Sequence, residues 1–237
     1  MIVITFAMQD ESKDFVPLLE NATTRGDRAD LPIVDGTFDG KRLTVVHVGV
    51  GPQSAAARLR ASGALTGVEK PRLLICPGYG GGLTPSLQHA DLLLVENYSD
   101  PSLLASAASL IGAERVHRGN LTSEMAVIDS AADKTALSQR TGAMAVDMET
   151  ATIAQACAEA GVPMLAFRII SDDAQTTLPV PGNLLWDLEA QKPPIGRLLW
   201  HLVTHPGRIG PFVQMIRSLG PARARLTETL RVLLAKL

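Results

Sequence analysis

Ala145-Val146-Asp147-Met148-Glu149-Thr150-Ala151, followed one helix later by Arg168-Ile169-Ile170-Ser171-Asp172-Asp173, are the stretches around which the chain is organised. Both read as the ends of buried strands. Ala143 to Val146 is a short apolar run, after which Ile153, Ala156, Cys157 and Ala160 fall on one helical face at three- and four-residue spacing. Gly161 ends that helix, Val162-Pro163 restarts the chain in extended form, and Met164 to Ile170 reads as a second buried strand interrupted only by Arg168. Glu149 and Asp172 therefore each stand where a strand stops. In open α/β sheets ligands bind at the carboxyl ends of strands, which makes these two acids candidate site residues.

Working outward, 237 residues with 46% hydrophobic content can bury a large core, and residues 1–237 are read as a single α/β domain. A net charge of −2 offers nucleic acid nothing. Cys76 and Cys157 have no metal-ligand or CxxC spacing, and no pair among the five histidines has the spacing of a helical metal site, so no metal is expected. Reduced cysteines point to the cytoplasm. The chain begins directly with a strand, Met1 to Phe6, without the basic and long apolar parts of a signal peptide, and no run approaches a membrane span. Residues 195–237 form an amphipathic helical extension, with Leu198, Leu199, Leu202, Val203, Phe212, Met215, Ile216, Leu226, Leu230 and Leu233 recurring among arginines. Its apolar face is expected on the sheet or on another subunit rather than on a membrane surface, although basic amphipathic helices can serve the latter.

In chain order, Glu11 follows the first strand, and Phe15, Leu18 and Leu19 mark a helix whose first turn favours a carboxylate. Ile33 to Phe38 and Arg42 to Val48 read as a hairpin turning at Asp39-Gly40. Gly49 and Gly51, ahead of Pro52, can present backbone amides to an anion at a helix N-terminus. A dinucleotide reading fails here, because the next strand, Leu73-Leu74-Ile75-Cys76, ends without the acid that would hold a ribose. Gly78-Tyr79-Gly80-Gly81-Gly82 reads as a tightly turned loop where a flat ligand can approach the backbone, or simply as a crowded turn. Beyond it lie a strand at Ala90 to Val95, a helix at Pro101 to Ile111, a segment at Arg115 to Asn120, a loop at Ser123 to Ile128 and a helix from Ser130 to Arg140. No GxSxG elbow supports a serine hydrolase.

Together Ala7 to Glu11, the Gly78 to Leu83 stretch, Ala145 to Thr150 and Arg168 to Asp172 resemble the purine nucleoside phosphorylase and nucleosidase superfamily, nearest its methylthioadenosine/S-adenosylhomocysteine nucleosidase branch. The resemblance covers residues 1 to about 175 in order. It implies a three-layer αβα sandwich with a mixed, partly barrel-like central sheet, a small-molecule nucleoside substrate, no cofactor and a homodimer. Carried over by position, Glu11 would activate water, Glu149 would hold the ribose hydroxyls with Met148 against the sugar, and Asp172 would protonate the departing purine. Val127 and Ile128 would line the base, with Gly78, Tyr79 and Ser171 in the same binding set. Tyr79 stands where that branch commonly has a serine, and the chain between Glu96 and Gly119 is shorter, which implies a more open pocket. The short middle, Leu178-Pro179 and the arginine-rich tail bear a weaker similarity to hopanoid-associated phosphorylases.

The implied chemistry needs one carboxyl as acid and another ionised, because the glycosidic bond breaks through an oxocarbenium-like sugar while the purine gains a proton. The helix dipole is expected to keep Glu149 charged, and burial beyond an apolar strand to keep a proton on Asp172. Hydrolysis is expected over phosphorolysis. Inorganic phosphate would be the co-substrate of the latter, and Gly49 and Gly51 offer amides for phosphate or water. But no Arg or Lys lies in Ala7 to Ser12, Gly49 to Ala57 or Gly78 to His89, Arg168 reads as a brace of the fold, and Lys13, Arg58 and Arg118 reach the site only by turning inward. A catalytically silent nucleoside-binding protein is the alternative from another class.

Overall fold

A computed structural model of the chain describes residues 1–26, 28, 30–67 and 69–236, leaving Leu237, the last residue of the expected tail, outside them. The strands are β1 (Ile2–Phe6), β2 (Glu20–Arg25), β3 (Ile33–Phe38), β4 (Lys41–His47), β5 (Leu73–Cys76), β6 (Tyr79–Gly82), β7 (Leu92–Val95), β8 (Val116–Gly119), β9 (Leu121–Ser123), β10 (Ala145–Asp147) and β11 (Met164–Asp172). The helices are α1 (Gln9–Ser12), α2 (Pro52–Ser62), α3 (Pro101–Leu110), α4 (Ala131–Thr141), α5 (Thr150–Ala160), α6 (Gly182–Leu185), α7 (Ile195–Thr204) and α8 (Ile209–Lys236).

The strands join in one mixed, partly barrel-like sheet in the order β2-β3-β4-β1-β5-β11-β6-β10-β9, with β7 paired to β11 and β8. Strand β11 is the junction. Met164 to Ala166 run parallel to β5, Phe167 to Ile169 run antiparallel to β7, and the last residues run parallel to β6 with a register shift between Ile170 and Asp172. A strand paired this way and covered on both faces must be apolar on both, which is why its first seven residues are all buried.

Alternation along β1 separates two cores. Ile2, Ile4 and Phe6 face Leu104 of α3 and Leu226, Leu230 and Leu233 of α8. Val3 shares the opposite core with Ala55 and Leu59 of α2 and Ile153 and Cys157 of α5. The result is the expected three-layer αβα arrangement. The β3–β4 hairpin turns at Asp39 and Gly40, both left-handed at φ 47° and 71°, as the paired primed turn demands. Gly161, at φ 61°, closes α5.

Several elements differ from the sequence reading. Phe15, Leu18 and Leu19 do not lie on a helix. Helix α1 stops at Ser12, and only a 3-10 turn at Val16–Leu18 follows, because Pro17 has no amide to extend it. Glu20–Arg25 then forms an edge strand with every residue exposed, so no apolar alternation announced it. The glycine stretch is not a loop: Tyr79–Gly82 is strand β6, wedged between β11 and β10. A Cβ at Gly80 would lie 3.3 Å from both the Arg168 Cβ and the Val146 carbonyl, so the glycines are there for close strand approach. In the expected tail, α8 runs through Pro221 for 28 residues. Its second half packs on the sheet through Ala222, Leu226, Leu230, Leu233 and Leu234, all fully buried.

Leu230→Ala removes a side chain from the middle of that helix–sheet contact. It should destabilise the protein by about 2–5 kcal/mol in denaturant unfolding.

Candidate active site

Strands β1, β10 and β11 end at one cleft, which the start of β6 flanks. It is lined by Ala7, Met8, Glu11, Val50, Tyr79, Gly80, Gly81, Ala126, Val127, Ile128, Val146, Asp147, Met148, Glu149, Ser171, Asp172 and Leu178. Of the residues singled out in the sequence, Glu11, Tyr79, Val127, Ile128, Met148, Glu149, Ser171 and Asp172 meet there. Gly49, Gly51 and Gly78 lie just outside the lining. Gly78 backs it, since a Cβ there would come within 3.0 Å of Glu11 Oε1.

Glu11 is buried, and three backbone amides hold it. Ala7 and Met8 donate to Oε2 at 2.8 and 3.2 Å, and Tyr79 donates to Oε1 at 3.0 Å. Burial nevertheless pushes its carboxyl up from the usual range, against the pull of those amides and the Arg168 charge. Its peptide donor Tyr79 packs its ring against the α8-side core, where the hydroxyl is buried with no hydrogen-bond partner among the described residues.

Under the cleft floor, Arg168 and Asp147 form a buried ion pair, Nη2 to Oδ2 at 2.6 Å with Nε at 3.1 Å. Arg168 Nη1 donates to the Cys76 and Phe167 carbonyls at 2.7 and 2.8 Å, and Nη2 also reaches Thr150 Oγ1. Every N–H of the guanidinium is thereby used. Ser123 Oγ and the Thr150 amide complete Asp147 at 2.5 and 3.2 Å. Arg168 thus braces the fold, as its place in the strand suggested.

The surroundings of Glu149 and Asp172 differ from those expected. Glu149 stands at the N-cap of α5 yet makes no cap hydrogen bond. It turns across the cleft to accept the Gly51 amide at 2.6 Å, so the dipole of its own helix is not its main partner. Burial, with the Asp147 charge added, pushes its carboxyl up to about 8. Asp172 is not a lone buried acid. Lys134, fully buried on α4, donates to its Oδ2, and Ser171 Oγ donates to its Oδ1 at 2.6 Å. The other two Lys134 protons go to the Asp173 and Thr176 carbonyls at 2.8 and 2.9 Å. Lys134 was missed in the sequence. The available signal was its place three residues before Leu137, on the buried face of α4.

The anion site expected at Gly49 and Gly51 is also corrected. Gly49 N–H donates to the Ala7 carbonyl at 3.1 Å, Val50 N–H to Gln191 Oε1 at 2.9 Å, and Gly51 N–H to Glu149. These amides fix the strand-to-helix turn and hold Glu149 instead of facing open space. Arg58 turns away to the Leu31 carbonyl at 2.5 Å, Arg118 pairs with Glu96 at 3.0 Å, and Lys13 lines a different surface groove. Among the described residues no group of three or more His, Cys, Asp and Glu has a metal-holding arrangement.

Beyond Val127 and Met148 the cleft continues into a second lobe bounded by Pro181, Gly182, Trp186, Leu188 and Arg197.

Comparison with known proteins gives a concordant picture. The family described as the phosphorylase superfamily matches residues 1–107 and 96–193. The 5′-methylthioadenosine/S-adenosylhomocysteine nucleosidase of Shewanella oneidensis is 26% identical over 208 residues, covering 76% of this chain and 86% of its own. The nucleosidase of the same description from Baumannia cicadellinicola is 30% identical over 172 residues, covering 61% and 74%. In fold, the chain is similar to the S. pneumoniae nucleosidase solved with the transition-state inhibitor MT-ImmA, with a TM-score of 0.72 at 19% identity over 99% of this chain and 98% of that one.

A carboxyl that holds its proton more tightly folded than unfolded makes stability fall as pH rises from the ordinary carboxylate range to about 8. Glu149→Gln keeps an acceptor for the Gly51 amide and removes that titration. Its melting temperature should exceed wild type above about pH 8 by at least ~2–4 °C, the shift per kcal/mol for a domain of this size, and converge toward it near about pH 5.

Proposed function

The chain belongs to the phosphorylase superfamily, in company with its methylthioadenosine/S-adenosylhomocysteine nucleosidases, and from that membership we propose that it hydrolyses the N-glycosidic bond of a purine nucleoside carrying a substituent on the ribose 5′ carbon. The observation that favours water over phosphate is the internal use of the donors that Arg168 and the Gly49 to Gly51 turn could have offered. Phosphate needs converging cations or free amides. Here Arg168 spends all its N–H groups on carbonyls, Asp147 and Thr150, and the amides of Gly49, Val50 and Gly51 are taken, while the described lining holds no Arg or Lys.

In this reading Glu11, fixed by its three amides, orients and deprotonates the attacking water. Glu149 takes the ribose diol, and the carboxyl groups around the sugar stabilise the positive charge it develops. Val127, Ile128 and Leu178 flank the base. Asp172 passes a proton to the five-membered ring of the leaving purine. Lys134 and Ser171, which donate to its two oxygens, hold that carboxyl in place beside the base. The lobe beyond Met148 supplies room for the 5′ substituent.

The test is a nucleoside panel in phosphate-free buffer, running from methylthioadenosine to adenosine with an apolar 5′ extension. Free base and free sugar are expected. Binding without base release, with or without phosphate, would reduce the protein to a nucleoside binder. Asp172→Asn should lower turnover about 10²–10⁴-fold, and Lys134→Met, which frees the Asp172 carboxyl from its holder, should also lower it, in protein shown to be folded by circular dichroism; wild-type turnover in either would remove that residue from the mechanism.

A further inference from the structure

The C-terminal extension was expected to cover its apolar face with the sheet or another subunit, and its last part packs on the sheet. Helix α7 and the first half of α8 turn Leu198, Leu202, Phe212 and Met215 inward and leave a second apolar stripe outside. On α7 this stripe is Ile195, Leu199 and Val203 at four-residue steps, with Trp200 beside it; on α8 it is Ile209, Val213 and Ile216. Trp200 and Val203 are each 71% exposed. Large exposed apolar groups gathered on a helix face mark a contact surface.

The charges that α7, the first half of α8 and their connection themselves carry are of one sign. From Lys192 to Thr227 the ionisable side chains other than histidine are Lys192, Arg197, Arg208, Arg217, Arg223 and Arg225, with no Asp or Glu, in a chain whose net charge is −2. Arg223 is tied to Asp10 and Asp14, and Arg225 to the Glu114 carbonyl. Lys192, Arg197, Arg208 and Arg217 have no ion-pair partner among the described residues, and all are exposed.

That sign selects the occupant. In a two-fold contact the same patch meets itself, which would bring these cations together with no acid on α7 or the first half of α8 to pair with them. An anionic lipid surface offers the complementary charge and an apolar layer a few ångströms below it. A tryptophan at the centre of the row suits that boundary, with an apolar ring and one N–H. Among the described residues no helix is long and apolar enough to cross a membrane, so the contact is with the surface. We infer that α7 and the first half of α8 dock the protein, by this stripe and its cations, onto a membrane surface bearing anionic lipid.

The test uses the full chain with vesicles of phosphatidylcholine alone or mixed with phosphatidylglycerol, read by co-sedimentation and tryptophan emission. Binding should be at least about tenfold tighter to the anionic vesicles, weaken as salt is raised, and shift the emission to the blue. A Trp186→Phe variant assigns that shift to Trp200. Replacing Leu199, Trp200 and Val203 together by Ser should abolish binding, and Arg208→Glu with Arg217→Glu should weaken it at least about tenfold, both leaving base release from a soluble nucleoside unchanged. No binding to anionic vesicles, or equal binding to neutral ones, would overturn the inference. So would a dimer in light scattering that dissociates in the triple-Ser variant, since the face would then belong to a second copy.

Discussion

The pair between Arg168 and Asp147 is the interaction on which the cleft depends. It joins the middle of β11 to the end of β10, reaches the end of β5 through the Cys76 carbonyl, and anchors the first turn of α5 through Thr150. Both side chains are nearly free of solvent, at 3% and 2% exposure. Two buried charges persist only when each is paired and the remaining hydrogen-bonding groups are met, and here they are. Breaking one member would strand the other at a cost of about 3–5 kcal/mol. The same guanidinium lies behind Glu11 and Glu149 and opposes the upward shift that burial imposes on each.

A fixed cation beneath the floor allows several carboxyl groups to share a small apolar space above it. Their environments then diverge. Glu11 is held by three amides, Glu149 by one amide with Asp147 as a like-charged neighbour, and Asp172 by an ammonium and a hydroxyl. Groups of one chemical type gain different proton affinities from such differences, which is the requirement for acid and base chemistry in one cleft. Because the donors that hold the carboxyls are spent in holding them, little is left to bind an anion.

What the sequence made legible follows from periodicity and turn chemistry. The Asp39-Gly40 hairpin, α5 with its Gly161 stop and the buried course of β11 each carry a local signal, and the acids at strand ends placed Glu11, Glu149 and Asp172 at one cleft. What was not legible depends on contacts distant in sequence. The edge strand β2 has no buried face, so it has no pattern to read. Tyr79–Gly82 lacks side chains that mark a strand, since its glycines are set by neighbours on β10 and β11. The amide of Gly51 finds Glu149, and Lys134 finds Asp172, only across the folded chain, so the surroundings of both acids were out of reach of the helix-dipole and burial arguments.

Water, and not phosphate, is proposed to take the space beside Glu11, because the donors that the described residues place there are spent on internal hydrogen bonds. Reaction in heavy-oxygen water at saturating phosphate examines it directly, with the sugar product analysed by mass spectrometry and phosphorus NMR. The expected result is one heavy oxygen on the sugar at C1 and no sugar 1-phosphate. A sugar 1-phosphate as the main product, with unlabelled C1 oxygen, would contradict it.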